Sequence, residues 1–515
     1  MTKEETTAAP PAPSLAKRTA TGFMFSTGGS LFYQGLALFV QTTLTYLISK
    51  AQYGTYGKAF AILSLTMLMQ QAGFNEILLR RASKLRLWGS VAFWCALFLG
   101  CVGSLLLIVL AYPLRRLYND EALTVLLLMA APVPLVRSLL VLPSAELIEG
   151  MRFRAHYGLL TLNGIMTSLV TLLLAWMGLG EKSFIAAMLL VEPIYVFTLW
   201  RVAKSRVRTG PRPSRWPALI NDLRFTFGAN AARTVRTSVD PLVLGLFASP
   251  AVVGLYFFAQ SMVAQIIRVI TLNLSSVLLP ALNKIAHDPA RQTAAFLRAA
   301  RAITLIGAPC CVGLGAVAPL FVRIFLDAHK WSALPLVLGI LTLGVVFRLL
   351  DEPAQSLLCA QGRFRLGFRM ALITGIAYIA VSTIGAWGGN PLRMSLATAI
   401  YYVLAGPVVL AVSIREGGGT YKDALRVFGI PFAIAVAAIS PWLLLDGWAP
   451  GQGRVRDAVI LAGTIGGSCL TYLCLCRIIQ PAGWGELVQR IEDLAPSGLK
   501  RTVAAVGGRL SGAAA

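Results

Sequence analysis

The ionisable residues that stand inside long apolar runs are the ones whose placement requires a chemical reason: Arg137, Arg233, Arg236, Arg268 and Arg348, with the acids Glu192, Asp240, Asp351 and Glu352. An arginine at the centre of a bilayer costs at least ~2.5 kcal/mol on insertion scales, so it faces water, a partner or a ligand and is a functional candidate by default. Guanidinium keeps its charge in a partly dried site and offers parallel donors to phosphate oxygens, so this group suits binding of a pyrophosphate. Arg137, Arg268 and Arg348 fall near the middles of three runs, and Arg233 and Arg236 about a third to halfway into a fourth. The competing reading is mutual neutralisation at helical spacing: Arg236 with Asp240, and Arg348 with Asp351 or Glu352. It leaves Arg137, Arg233 and Arg268 without a carboxylate neighbour on their own helix, and Glu192 as an isolated acid that could take part in proton coupling.

Other chemistries find no residues. All eight cysteines lie in apolar runs, without a CxxC or a secreted disulfide pattern, and read as small packing residues. His156, His287 and His329 are far apart and give no metal-ligand spacing. No metal, cofactor or covalent catalysis is expected. The formal net charge of +24 could point to nucleic acid, but the basic residues lie between apolar runs rather than on a soluble face, so no nucleic-acid partner is expected.

The elements that must position the charges follow from composition. With 57% hydrophobic and 13% charged residues over 515 positions, and a mean hydropathy of +0.71, water cannot be the main solvent. Runs of about 20 apolar residues bounded by charge, Gly or Pro number fourteen, which predicts an all-α polytopic membrane protein of about fourteen transmembrane helices. Alternate loops are rich in Lys and Arg, among them 80–86, 152–154, 204–215 and 363–369. The positive-inside rule makes that side cytoplasmic, and an even count puts both termini there. The expected organisation is a disordered cytoplasmic tail at 1–17, an N-lobe of spans 1 to 6 at 18–203, and a basic cytoplasmic linker at 204–225. A C-lobe of spans 7 to 12 follows at 226–414, then spans 13 and 14 at 415–479 and a cytoplasmic tail at 480–515, in which 484–494 has modest amphipathic spacing.

An internal duplication underlies the two lobes. Gly54-Thr55-Tyr56 matches Gly254-Leu255-Tyr256 at an offset of about 200 positions; Arg152-Phe153-Arg154 matches Arg363-Phe364-Arg365 at about 211, and there Arg137 falls opposite Arg348. Six spans separate the copies, so the halves share one orientation and are expected to be related by a pseudo-twofold along the membrane normal, facing each other across a central cavity.

Several stretches carry a family likeness over about residues 18 to 480: Tyr53-Gly54-Thr55-Tyr56 with Ala72-Gly73-Phe74 before Arg80-Arg81; Val239-Asp240-Pro241-Leu242-Val243-Leu244-Gly245; Val253-Gly254-Leu255-Tyr256 with Leu279-Pro280-Ala281-Leu282; and Ala360-Gln361-Gly362-Arg363. The chain resembles the polysaccharide-transport branch of the multidrug/oligosaccharidyl-lipid/polysaccharide exporter superfamily, the flippases of O-antigen and exopolysaccharide. That resemblance implies a V-shaped, monomeric transporter of the bacterial inner membrane, working by alternating access beside a polymerase and co-polymerase. It would move an undecaprenyl-pyrophosphate-linked oligosaccharide to the periplasmic leaflet, the headgroup on Arg137, Arg233, Arg236, Arg268 and Arg348, the tail left among membrane lipids. Ion antiport would draw on Asp240, Asp351 or Glu352. The alternatives are a lipid II flippase, a drug/cation antiporter of the same superfamily, which would want an acidic cavity, and a membrane polymerase, for which no DxD or large periplasmic loop is present.

Overall fold

The apolar runs do become helices. The structure, a computed structural model, describes residues 15–68, 74, 78, 85–283, 285, 288–444 and 453–479. Fourteen helical passages follow one another: α1 Leu15–Leu47, α2 Lys50–Met67, α3 Leu85–Tyr118, α4 Glu121–Glu149, α5 Phe153–Trp176, α6 Lys182–Ala203, α7 Trp216–Phe247, α8 Pro250–Asn283, α9 Pro289–Phe325, α10 Leu334–Ala360, α11 Phe364–Ala386, α12 Pro391–Ile414, α13 Tyr421–Ile439 and α14 Arg454–Ile479. Eleven are long and apolar enough to cross a membrane. These eleven were found over the described residues and do not include α1, α2 and α7. All three lie along the seam between the halves, where a polar side chain meets protein instead of lipid.

Two boundaries differ from expectation. Helix α1 already begins at Leu15, inside the expected tail. Helix α7 begins at Trp216, inside the expected 204–225 linker, because Pro217 suits the first turn of a helix and Trp216 packs against Phe98 of α3. The expected tail at 480–515, its segment 484–494, and the loop arginines Arg80 and Arg81 lie outside the described residues.

The duplication is visible in the packing. In the first half α1 packs on α5, α5 on α6, α6 on α4, and α4 on α3 and α2; in the second, α7 packs on α11, α11 on α12, α12 on α10, and α10 on α9 and α8. Helices α13 and α14 are added on α9. Even the irregularities repeat. Passage α4 is interrupted after Ser138 and α10 by a 3-10 turn at Val346–Arg348, so Arg137 and Arg348 sit in the last turn before equivalent breaks. Helices α5 and α11 start at Phe153 and Phe364, at the same offset of about 211.

The halves meet where α2 and α8 begin. Gly54 and Gly254, the repeat-related pair, lie against each other: a Cβ on Gly54 would strike the Pro250 carbonyl oxygen, and one on Gly254 the Lys50 carbonyl oxygen. Absence of side chains lets two helix backbones touch, as small residues do in membrane helix pairs. On either side of this contact a tyrosine spans the seam: Tyr118 Oη donates to the Leu242 carbonyl and Tyr46 Oη to the Phe325 carbonyl, each at 3.0 Å. Lys330 Nζ donates to the Ile48 carbonyl at 2.9 Å. Behind Tyr118, the fully buried Lys58 donates to Asp120 Oδ2 at 2.7 Å, as does Thr55 Oγ1. Partial burial pushes the loop carboxyl of Asp120 up, but the hydrogen bonds from Lys58 and Thr55 and the ammonium charge outweigh it and hold the group below the usual carboxylate range. Its contribution to stability is therefore present above that range and lost only as pH falls through the lowered value.

The glycine contact predicts an inverted sign. In an exposed helix Gly→Ala stabilises by up to ~1 kcal/mol, and Gly429, with open space at its Cβ position, should follow that rule. Gly54→Ala and Gly254→Ala should instead destabilise by about 1–3 kcal/mol through backbone collision. Thermal unfolding of the purified protein distinguishes the cases, and equal melting of G54A, G254A and G429A would refute the contact.

Candidate functional site

The buried charges resolve into three groups. In the first half, Arg137 at the α4 break reaches Glu192 on α6: its Nε donates to Oε1 at 3.0 Å, and its Nη2 contacts the same oxygen. Glu192 is 3% exposed while the Arg137 side chain is 32% exposed, so the acid is sunk in the lobe and the guanidinium is reachable. The second carboxylate oxygen of Glu192 is buried without a hydrogen-bond partner. Glu192 is thus not an isolated acid, contrary to the reading from spacing.

In the second half, Arg233 and Arg236 of α7 face the start of the second segment of α10. Arg236 Nη2 lies 2.8 Å from Asp351 Oδ2, and Arg233 Nη1 3.6 Å from Glu352 Oε1. A cavity of about 40 Å³ lies here, lined among others by Arg233, Arg236, Asp351, Gln355, Thr374 and Ser413. That is room for about one water, whose share of liquid volume is ~30 Å³, and far less than a headgroup. Arg348 forms no ion pair among the described residues; its guanidinium lies 5.4 Å from the ring centroid of Tyr402 on α12. At the offset of 211 Glu192 of α6 falls opposite Val403 of α12, the neighbour of Tyr402. The two lobes therefore place arginine at the same break but answer it differently, with a carboxylate in one and an aromatic face in the other.

Asp240 forms a third arrangement. It is fully buried and accepts from Tyr378 Oη at 2.6 Å, Tyr256 Oη at 3.0 Å, Gln260 Nε2 at 3.0 Å and Ser382 Oγ at 3.1 Å. Tyr256 Oη is in turn 3.1 Å from Thr398 Oγ1. No cation pairs with Asp240 among the described residues. Neutral donors from α8 and α11 converge on this one carboxylate and fill its hydrogen-bonding capacity without a salt bridge, while Arg348 lies near enough to act on it electrostatically.

Arg268 stands apart, exposed on α8 and close to Tyr33 of α1, at the seam between the halves. Nearby, Gln41 of α1 donates to Ser261 and accepts from Gln265, both of α8, which ties the seam together with polar groups.

These positions correct the spacing argument. The pairs expected along single helices, Arg236 with Asp240 and Arg348 with Asp351 or Glu352, do not form; the observed pairs run between helices, because α4 packs against α6, and α7 and the second segment of α10 both pack on α11, close enough for arginine side chains to bridge. Nor do five free guanidiniums meet in one chamber: Arg137, Arg233 and Arg236 are neutralised, while Arg268 and Arg348 make no ion pair among the described residues. Sequence reading missed Tyr256, Gln260, Tyr378 and Ser382 around Asp240, and Tyr402 over Arg348. The paired Tyr401-Tyr402 inside an apolar run was a usable signal, since a buried phenol also needs a partner.

The Arg137 to Glu192 pair predicts strong coupling in a double-mutant cycle. Arg137→Ala strands a buried carboxylate and should cost about 1–3 kcal/mol, below the full buried-pair value because the guanidinium is partly solvated. Adding Glu192→Gln should restore at least ~1 kcal/mol of that loss in unfolding measurements, whereas additive effects would contradict the pair.

Comparison with known proteins agrees with this architecture. Residues 43–336 match the profile of a family described as polysaccharide biosynthesis protein. The chain is 21% identical over 450 residues to the lipopolysaccharide biosynthesis protein WzxC of Escherichia coli (strain K12), covering 83% of this chain and 87% of that one. It is 24% identical over 475 residues to the succinoglycan biosynthesis transport protein ExoT of Rhizobium meliloti (strain 1021), covering 90% and 92%. Among solved structures, a lipid II flippase MurJ in an inward closed conformation superposes with a TM-score of 0.71 at 15% identity, covering 89% of this chain and 99% of that one. An inward-facing multidrug resistance MATE family transporter of the MOP superfamily reaches 0.58 at 13% identity, covering 75% and 94%.

Proposed function

The chain belongs to the polysaccharide biosynthesis protein family, and we propose that it is a flippase for polyprenyl-pyrophosphate-linked oligosaccharides. The resemblance read from the sequence holds: relatives along nearly the whole chain are polysaccharide biosynthesis and transport proteins, and the fold is shared with lipid and drug exporters of one superfamily. In this reading the protein lies in the bacterial inner membrane with both termini cytoplasmic, as the loop charges require. It carries out no covalent chemistry, works by alternating access, and delivers its cargo to a polymerase and co-polymerase.

The observation that carries the proposal is the presence of two guanidiniums in membrane helices, Arg268 and Arg348, with no ion pair among the described residues. Such residues are costly in a bilayer and are retained for a ligand of opposite charge. A pyrophosphate headgroup repays that cost, while a polyprenyl tail left in lipid never crosses a polar region. Arg137 would join when a phosphate oxygen takes the place of Glu192, since one side of the guanidinium is already exposed. Arg233 and Arg236 contribute in a state where the C-lobe cavity is wider. A lipid II flippase shares this chemistry, but the relatives named for polysaccharide pathways favour the oligosaccharide. A drug/cation antiporter would place its unpaired charge the other way round.

Energy coupling is assigned to Asp240 in this reading. Among the four candidate acids it alone forms no salt bridge among the described residues, whereas Asp351, Glu352 and Glu192 are each held by an arginine. A carboxylate ringed by hydroxyls can exchange a cation or proton without breaking an ion pair.

The test is translocation of a fluorescent polyprenyl-pyrophosphate oligosaccharide in proteoliposomes. Arg268→Ala and Arg348→Ala should each lower the rate about tenfold or more, the scale of a lost hydrogen bond to a charged group. Failure of the wild-type protein to move the lipid, with correctly inserted protein, overturns the proposal. Asp240→Asn should retain downhill movement but lose its acceleration by imposed proton or sodium gradients; a D240N protein that still responds would remove Asp240 from coupling.

A further inference from the structure

The linker between the lobes is not a slack tether. Helix α6 ends at Lys204, which adopts φ +56°, a left-handed conformation uncommon for a residue with a side chain, and which turns the chain back across the N-lobe. The following residues alternate between exposed and half-buried, and Ser205, Arg208 and Thr209 are pinned. Ser205 Oγ donates to Glu146 at the end of α4, and the Thr209 carbonyl accepts from the indole of Trp94 on α3 at 3.0 Å. The backbone of Arg208 donates to Ser90 Oγ at 3.1 Å. Upstream, Arg152 donates to the Val202 carbonyl at 2.9 Å and so fixes the end of α6.

The inner face is Ser205, Val207 and Thr209, half-buried, and the outer face is Lys204, Arg206 and Arg208, exposed. None of these three forms an ion pair among the described residues. Of the two acids at the end of α4, Glu146 is taken up by Ser205, and only Glu149 stays exposed. The result is a row of exposed cations at alternate positions, held against the N-lobe at the level where its helices end. A basic stretch that served only to orient the chain in the membrane would need no such fixed register, since orientation depends on charge count and place.

We propose that this strap is a binding site for anionic phospholipid headgroups of the leaflet in which it lies, with Lys204, Arg206 and Arg208 contacting lipid phosphates. The site rests on the orientation proposed above, which puts the strap at the cytoplasmic leaflet; it does not depend on the transported substrate. Because the strap links α6 to α7, a bound lipid holds the inter-lobe connection onto the N-lobe.

Native mass spectrometry of the full chain, released from micelles containing equal phosphatidylglycerol and phosphatidylcholine, tests the site. The wild-type protein should retain phosphatidylglycerol in preference. Combined Lys204→Gln, Arg206→Gln and Arg208→Gln should weaken that retention about tenfold or more, since each basic residue at an anionic surface is worth a factor of about five. Arg206→Gln alone, whose side chain makes no hydrogen bond among the described residues, should lower it about fivefold with unchanged thermal stability. Arg206→Lys with Arg208→Lys should stay within about threefold of wild type, as charge is preserved. Equal retention of the two lipids by the wild type, or unchanged preference in the triple variant, overturns the proposal. Displacement of the lipid by inorganic pyrophosphate at constant ionic strength overturns it too, as that would mark a site for free polyphosphate. All these readouts are independent of translocation, so a failure of the flippase reading leaves them standing.

Discussion

A charge inside a bilayer has no water to fall back on, and this constraint organises the whole molecule. The main buried charges among the described residues are answered by groups from elsewhere in the chain. Arg236 is answered by Asp351, Arg137 by Glu192, Lys58 by Asp120 and Asp240 by a ring of hydroxyls and an amide. These partners come from different helices, so the same interactions that lower the cost of the charges also set which helices are neighbours.

The scaffold is nearly symmetric, but its chemistry is not. Equivalent helix breaks carry Arg137 and Arg348, which meet Glu192 of α6 and Tyr402 of α12 respectively. A carboxylate cancels the first arginine's charge, whereas an aromatic face attracts the second without cancelling it. Duplication thus supplies two related breaks, one whose arginine is paired with a carboxylate and one whose arginine forms no ion pair among the described residues. A transporter that must bind and release a phosphorylated headgroup benefits from having both.

The join between the lobes is equally economical. Two glycines let backbones touch, and three hydrogen bonds from Tyr118, Tyr46 and Lys330 to carbonyl oxygens span the seam beside them. The Phe325 and Ile48 carbonyls belong to helix ends, where water can replace the donor when the lobes part. Beside these hydrogen bonds the seam is apolar, with Tyr53 packed on Phe258 and Trp331 and Tyr56 on Phe257, so parting the lobes there uncovers aromatic surface.

Hydropathy by itself determined that the chain is an all-helical membrane protein, roughly where its helical passages lie, and that it is duplicated, because twenty-residue apolar runs and repeated loop motifs are local properties that survive folding. The identity of the charged residues worth attention was also legible, since an arginine in an apolar run is conspicuous without any coordinates. Their partners were not. Helical spacing offered Asp240 to Arg236 and Asp351 to Arg348, but residues four apart on one helix compete with residues on neighbouring helices that lie as close and can approach head-on. Only the tertiary arrangement decided that side chains of α7 reach α10, that Glu192 lies beneath Arg137, and that four neutral donors surround Asp240. It also decided that the basic linker is a pinned strap, for the bonds that hold it come from Ser90, Trp94 and Glu146, more than fifty residues away along the chain. Spacing along a sequence measures proximity within one helix, whereas the energetics of buried charge are settled between helices.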